Sequence, residues 1–300
     1  MTNPGWGGAA SEGTPPPQPR CVRHPDRPTA LACTRCGRPA CPDCLRAASV
    51  GHQCVDCVVA GQRDARPART VAGATVRTQV PTPLLTYFLI AANVAIFAVT
   101  AVQSRSVLDN HLSSPLFVDW VLWGPAVAAG EYGRIVTSGF LHIGLMHLAV
   151  NMFALYVIGR DIEIVLGRAR YLAVYLISLL GGSASVLLLD PMVPTAGASG
   201  AIFGLLGAQA VILLRLRRSP TPVLAVIAIN VIISLTIPGI SLWGHMGGLV
   251  AGAVATAALL YAPSAVGAKE ADRVRTAGWT ALGAVGVLTL IATAAAVAAI

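Results

Sequence analysis

Seven apolar stretches decide what this chain can fold into. They run at about Leu84–Val102, Gly139–Ile158, Tyr171–Leu189, Ala198–Leu214, Val223–Ile237, Leu242–Tyr261 and Ala277–Ile300. A helix needs about 20 largely apolar residues to cross a bilayer, and most of these runs reach or approach that length. The fifth, bounded by Pro222 and Pro238, is the shortest. A content of 55% hydrophobic and 11% charged residues, with mean hydropathy +0.69, agrees with an all-α polytopic membrane protein and excludes a soluble domain.

The formal net charge of +8 invites a nucleic-acid partner, but the basic residues sit where topology needs them. Arg63, Arg66, Arg69 and Arg77 precede the first span, and Arg160, Arg168 and Arg170 lie between the second and third. Arg215, Arg217 and Arg218 follow the fourth; Lys269, Arg273 and Arg275 follow the sixth. The alternate loops hold little beyond Arg105 and Arg134. The positive-inside rule then puts the N-terminus in the cytoplasm and the C-terminus outside a cell membrane. No nucleic-acid partner is expected.

All seven cysteines fall between Cys21 and Cys57, on the expected cytoplasmic side. A reducing compartment favours metal over disulfides there. Cys21-x2-His24, Cys33-x2-Cys36, Cys41-x2-Cys44 and Cys54-x2-Cys57 offer eight ligands, enough for two tetrahedral zinc ions. Only four residues separate the second pair from the third, which favours a cross-brace: pairs one and three on one ion, two and four on the other. The arrangement resembles a B-box-type zinc finger over residues 21–60. His52 is a ninth candidate, set aside because Cys54 and Cys57 complete the knuckle spacing. Residues 1–20, with Pro15-Pro16-Pro17 and no apolar core, read as a disordered tail and not a signal peptide. Residues 61–80 read as a linker, and no internal repeat suggests duplicated transporter halves.

Between the first two spans lies an external segment, about Gln103–Ser138. Within it Leu116–Trp123 is aromatic and apolar but too short to cross, so it is expected in the interface, as an anchor or a wall guiding a membrane substrate.

The chemistry concentrates on Gly197-Ala198-Ser199-Gly200-Ala201-Ile202-Phe203-Gly204. Gly200, Gly204 and Ala208 recur every four residues, as do Gly244, Gly248 and Gly252 downstream. Such small-residue stripes let membrane helices approach backbone to backbone. Ser199 and His245 each lie one position off their stripe, so packing the two stripes sets a nucleophile beside a base. Alone, the serine could bond its own helix backbone, and the histidine could be a tie or a proton relay. In the second span His147 and Asn151, four apart, share a helix face. Their bland alternative is interhelical glue, an alternative weakened by a serine and histidine at comparable depth. His142, about 140° from His147 around the helix, reads as structural. With no intramembrane acid placed to orient His245, the economical reading is a Ser–His dyad.

These residues resemble the rhomboid intramembrane serine proteases, over roughly Leu84–Tyr261. His142-x4-His147-x3-Asn151, Gly197-Ala198-Ser199-Gly200 and His245-x2-Gly248-x3-Gly252 look like the family's second-helix, nucleophile and sixth-helix motifs. The resemblance implies a rhomboid six-helix bundle over 81–262, a seventh transmembrane helix over 276–300, and a small zinc-binding domain ahead of them. Similar fingers precede some actinobacterial members. It makes Ser199 the nucleophile and His245 the base, with His147, Asn151 and the Ser199 N–H lining an oxyanion hole and no cofactor for catalysis. It also implies single-span or multi-span membrane protein substrates, cut near their outer ends through an acyl-enzyme, with lipid around the enzyme and a cytoplasmic protein partner for the finger. Two departures stand out: Gly133-Arg134 where many members have Trp-Arg, and Phe203 where a tyrosine often packs on the histidine. The competing readings are a catalytically silent rhomboid-like protein that binds membrane clients and, more remotely, a transporter with a zinc-sensing domain.

Overall fold

The computed structural model describes residues 18–64, 70–73 and 82–300. The chain divides into two units, Met1–Pro67 and Ala68–Ile300. The tail expected over 1–20 lies outside the described residues up to residue 17, and so does most of the linker expected over 61–80.

In the first unit a single 3-10 turn, Pro42–Cys44, leads into an antiparallel hairpin of β1 (Leu45–Ala47) and β2 (His52–Cys54), with Leu45 opposite Cys54 and Ala47 opposite His52. This hairpin is an element the all-α expectation did not contain. Helix α1 follows, Val55–Asp64. It runs past the expected module end at residue 60, because Cys57 sits in its first turn and one turn alone is not a stable helix. The buried cluster is Cys21, Cys33, Ala40, Cys41, Cys44, Leu45 and Cys54. Thiols and two aliphatic side chains bury too little apolar surface to hold so small a unit without cross-links.

The second unit is helical. Helix α2 (Leu84–Ser104) starts where a buried carboxylate fixes it. Glu163 Oε2 accepts from the Thr86 N–H and Thr86 Oγ1, each at 2.8 Å, and Oε1 from the Leu85 N–H at 3.1 Å. The Arg168 guanidinium stands 3.6 Å away. A carboxylate at a helix N-terminus satisfies otherwise orphaned donors and the helix dipole together. Residues 70–73 also belong here: Thr70 Oγ1 donates to the Val165 carbonyl at 2.7 Å, and Ala72 joins the core.

The segment after α2, expected outside the membrane, folds into three short helices, α3 (Pro115–Trp120), α4 (Gly124–Ala128) and α5 (Arg134–Thr137). Arg134 is buried among them. Its guanidinium donates to the carbonyls of Val118 and Val121 and pairs with Glu131, tying α5 to the end of α3. The arginine of the departing Gly133-Arg134 pair is thus a loop clasp.

Helix α6 (Gly144–Ala154) passes through a π-helical turn, Leu155–Gly159, into α7 (Arg160–Leu166). Against α5 and the turn after it, this helix bends by 91°. The run read as one straight span, Gly139–Ile158, is therefore broken at its start. Gly144 has φ +72°, a conformation that suits glycine, and its N–H donates to Asn110 Oδ1 at 2.8 Å. Asn110, fully buried, also donates to the His142 carbonyl and Thr100 Oγ1, so a loop residue sets the break.

The remaining helices are α8 (Arg168–Leu189), α9 (Ser199–Arg215), α10 (Thr221–Thr236), α11 (Leu242–Ala265) and α12 (Ala271–Ala298). Four helices (α2, α8, α11 and α12) are long and apolar enough to cross a membrane, and the bent pair makes a fifth candidate. With 17 and 16 residues, α9 and α10 are shorter, about 25 Å at the α-helical rise. The protein is a multi-pass membrane protein whose seven apolar segments differ in length. Helices α8, α9 and α11 pack through glycine. A Cβ on Gly248 would strike the backbone of Gly200, and one on Gly252 the backbone of Gly204. Gly182 of α8 meets the Gly244 carbonyl in the same way, at 2.8 Å. The two stripes read from sequence do meet, and a glycine pair on α8 joins them. Outward-facing Phe88, Phe153, Ile232, Leu235 and Leu288 are exposed, as suits a surface that faces lipid. Helix α12 lies on α8 and α11, with Leu282 buried and Gly278 against Leu259 and Pro263.

Candidate active site and metal centre

Ser199 is the first residue of α9, and the chain that delivers it is pinned by backbone bonds. Leu122 and Thr195 exchange N–H···O bonds of 3.0 and 2.9 Å, the Gly124 N–H reaches the Pro191 carbonyl at 2.8 Å, and the Gly197 N–H reaches the Ser138 carbonyl at 3.0 Å. Gly197 has φ +135°, a region that L side chains rarely adopt. A Cβ there would stand 2.9 Å from His147 Cε1, 3.0 Å from His147 Nε2 and 3.5 Å from Ser199 Oγ. The serine hydroxyl and the His147 ring therefore flank one small space that only glycine leaves open. No side chain caps α9, so first-turn N–H groups, at the positive end of the helix dipole, remain for an oxyanion.

His147 has a defined tautomer. The Ile143 N–H donates to its Nδ1 at 3.3 Å, which makes Nδ1 the acceptor and leaves the proton on Nε2, the atom beside Gly197. His142 lies edge-on to it at 5.1 Å and is fully buried. Asn151, one turn further, spends one Nδ2 hydrogen on the His147 carbonyl at 2.9 Å and keeps the other.

His245 enters in the first turn of α11, which Ser241 caps by accepting from the Gly244 N–H at 3.1 Å. Its ring lies flat on Phe203, centroids 4.0 Å apart and planes 9° apart. Phe203 follows Ser199 by four residues on α9, so the two share a face and the histidine lies over the turn next to the serine. The ring face that the Phe203 departure retains is in contact. His245 Nδ1 is 2.8 Å from Ser234 Oγ of α10. Sequence reasoning missed that contact: one serine in an apolar run carries no spacing signal. No hydrogen bond joins Ser199 Oγ to His245 among the described residues. In free serine hydrolases this bond is often long and tightens with substrate.

In the first unit the eight ligand candidates gather into Cys21, His24, Cys41 and Cys44, and Cys33, Cys36, Cys54 and Cys57, each set with its donor atoms within 4.8 Å of one another. His24 presents Nδ1 to Cys44 Sγ at 3.3 Å, Cys41 Sγ at 3.4 Å and Cys21 Sγ at 3.9 Å. His52 is exposed and belongs to neither set. The Cys41 backbone N–H lowers the Cys21 thiol to about 6, and the Cys54 N–H lowers Cys33 to about 6. In the same sets burial raises Cys44 to about 11, and hydrogen bonding with Cys36 raises Cys57 to about 12. The Arg38 side chain lowers Cys36 as well, so each set holds at least one thiol that ionises readily and one that resists joining its charge. A dication at the centre of such a donor set resolves that conflict. Three thiolates with one imidazole, and four thiolates, are both zinc-binding combinations.

A family model described as the Rhomboid domain matches residues 129–262. The chain is 36% identical over 186 residues to "Rhomboid protease GluP" of Bacillus subtilis, covering 59% of this chain and 35% of that protein. It is 38% identical over 138 residues to "RHOMBOID-like protein 6, mitochondrial" of Arabidopsis thaliana, covering 43% and 44%. With "Putative rhomboid protease YdcA" of Bacillus subtilis it shares 32% over 132 residues, covering 42% and 66%. The chain spans less than half the length of the first two relatives.

Proposed function

We infer that this chain, in which residues 129–262 are a rhomboid domain, is an intramembrane serine endopeptidase. The observation that carries the reading is that Ser199 Oγ and the Nε2–H of His147 flank the one space left open over Gly197, one helical turn from a His245 ring held flat on Phe203. Ser199 Oγ attacks a peptide carbonyl while His245 Nε2 takes its proton and then gives it to the leaving amine. The Ser199 N–H, His147 Nε2–H and the free Nδ2 hydrogen of Asn151 meet the developing oxyanion; one such donor is worth ~3 kcal/mol in other serine hydrolases. Water then releases the acyl group.

The substrates are single-span or multi-span membrane proteins. A helix hides its peptide bonds in i→i−4 hydrogen bonds, so cleavage falls where small or helix-breaking residues let the substrate unwind. The basic bias of the loops sets the N-terminus in the cytoplasm of a cell membrane and the active site toward the outer face. The rival reading, a silent client-binding protein, is favoured by one thing, the unformed Ser199–His245 bond. A serine-directed fluorophosphonate separates the two: the purified chain is expected to label, and Ser199→Ala is expected not to. Labelling of neither protein would support the silent reading.

The two Cys/His sets fit zinc, which would serve there as a structural cross-link and leave a surface for a cytoplasmic protein partner. Metal analysis of the purified full chain is expected to give about two zinc ions. Cys33→Ser and Cys57→Ser are each expected to lose one and the same ion, so their combination loses no more than either. A stoichiometry of one, or additive losses, would refute the cross-brace.

A further inference from the structure

We propose that Ser234 is a positioning residue for the reaction, the third member of a Ser199–His245–Ser234 chain. It rests on the reading of His245 as the base. Helix α10 buries only two side chains, Val223 and Ser234, and the second of them ends on the catalytic ring. Ser234 Oγ is 2.8 Å from the Asn230 carbonyl oxygen and 2.8 Å from His245 Nδ1. A hydroxyl has one proton, and a carbonyl can only accept. The arrangement that satisfies every atom runs His245 Nδ1–H to Ser234 Oγ, then Ser234 O–H to the Asn230 carbonyl. Nδ1 then carries the imidazole proton, and Nε2, on the opposite edge of the ring, carries the lone pair. That is the tautomer a general base for Ser199 needs.

The stack on Phe203 cannot supply this. Contact with a flat ring fixes the plane of the imidazole. A half-turn about the Cβ–Cγ bond keeps that plane while exchanging Nδ1 with Cδ2 and Nε2 with Cε1. Phe203 accepts both orientations equally, and both tautomers of each. Only the Ser234 oxygen distinguishes them, because the flipped ring would turn a carbon toward it and the wrong tautomer would bring a lone pair against it. The seat taken by an aspartate in soluble triads is here a neutral hydroxyl, which suits a buried site where an unpaired carboxylate would be costly.

The test uses the full chain in detergent with a fluorogenic single-span substrate, measuring kcat, KM and the thermal midpoint. Ser234→Ala is expected to lower kcat by ~10- to 100-fold, the size of effect seen for partners that orient metal-ligating imidazoles and less than the loss of a charged triad aspartate. KM is expected to stay at the wild-type value, and the midpoint to fall by a few degrees at most, since His245 Nδ1–H loses one neutral hydrogen bond. Ser234→Thr restores the hydroxyl and is expected to recover most of the kcat. Fluorophosphonate labelling of Ser199 is expected to slow in parallel with kcat in the alanine variant and to recover in the threonine variant. A wild-type kcat in Ser234→Ala, a loss confined to KM or the midpoint, or a loss that threonine does not restore would overturn the proposal. The Ser199→Ala control separates the two layers. Cleavage by that control would sink the serine mechanism itself, whereas an inert control beside a fully active Ser234→Ala would sink only the role of Ser234.

Discussion

Ser199→Ala and His245→Ala are each expected to reduce cleavage of a single-span substrate by at least ~10,000-fold, and the double variant to be no worse than either alone. Nucleophile and base act as a unit in serine hydrolases, so removing one costs nearly what removing both does. The structure adds a reason to expect clean losses. Ser199 sits at an uncapped helix start, half-buried, and among the described residues its hydroxyl holds no hydrogen bond that alanine would break. Its replacement should leave the thermal midpoint alone. His245 differs: its ring fills the space between Phe203 and Ser234, so alanine there leaves a cavity, while the Ser234 hydroxyl keeps only its bond to the Asn230 carbonyl. Its midpoint is expected to fall, by a few degrees for ~2 kcal/mol in a domain of this size. Cleavage by folded Ser199→Ala above a buffer blank would refute the assignment.

Much of this site was legible because its parts announce themselves by spacing. Gly200, Gly204 and Ala208 against Gly244, Gly248 and Gly252 encode both a helix face and a close approach, and the two stripes meet as read. Four Cys/His pairs with a short central gap encode two interleaved donor sets in the same way. What stayed hidden is what sequence distance conceals. Gly181 and Gly182 were two more small residues in an apolar run until α8 lay against α11. Ser234 looked like any serine bonding its own helix, and it does make that bond; the second partner comes from another helix. The break before α6 escaped because Gly144 alone does not bend a helix; Asn110, from a loop, holds it open. The extent of α9 was legible from the run Ala198–Leu214, but the backbone bonds that tie the chain before it to Leu122 and Ser138 were not, since no hydropathy window contains them.

The glycine seam carries the other large effect. Replacing Gly248 by alanine is expected to destabilise the protein by ~3 kcal/mol or more, at the upper end for overpacking, and to cut kcat by ~100-fold. The reason is what the new methyl would meet. At Gly248 it strikes the carbonyl oxygen, carbonyl carbon and Cα of Gly200, all backbone, and a helix backbone cannot swing aside as a side chain does. Relief requires α9 and α11 to separate, and the residue after Ser199 is the one pushed, so the serine moves relative to His245. A misplacement of about 1 Å is enough for a loss of that size. Two other glycines calibrate the claim. A Cβ at Gly244 would meet mainly side chains, Ser241 Oγ at 3.2 Å and Val186 Cγ2 at 3.5 Å, so its alanine variant should be milder. Gly283 of α12 has nothing within 4 Å of a Cβ, and alanine there should be neutral or slightly stabilising, since it removes a poor helix former. The predicted order of damage, Gly248 above Gly244 above Gly283, can be read from thermal midpoints and kcat of the three purified variants. A Gly248→Ala protein as stable and active as the Gly283→Ala protein would mean that the α9–α11 seam relaxes freely, and the fixed spacing of serine and histidine would have to come from the loops instead.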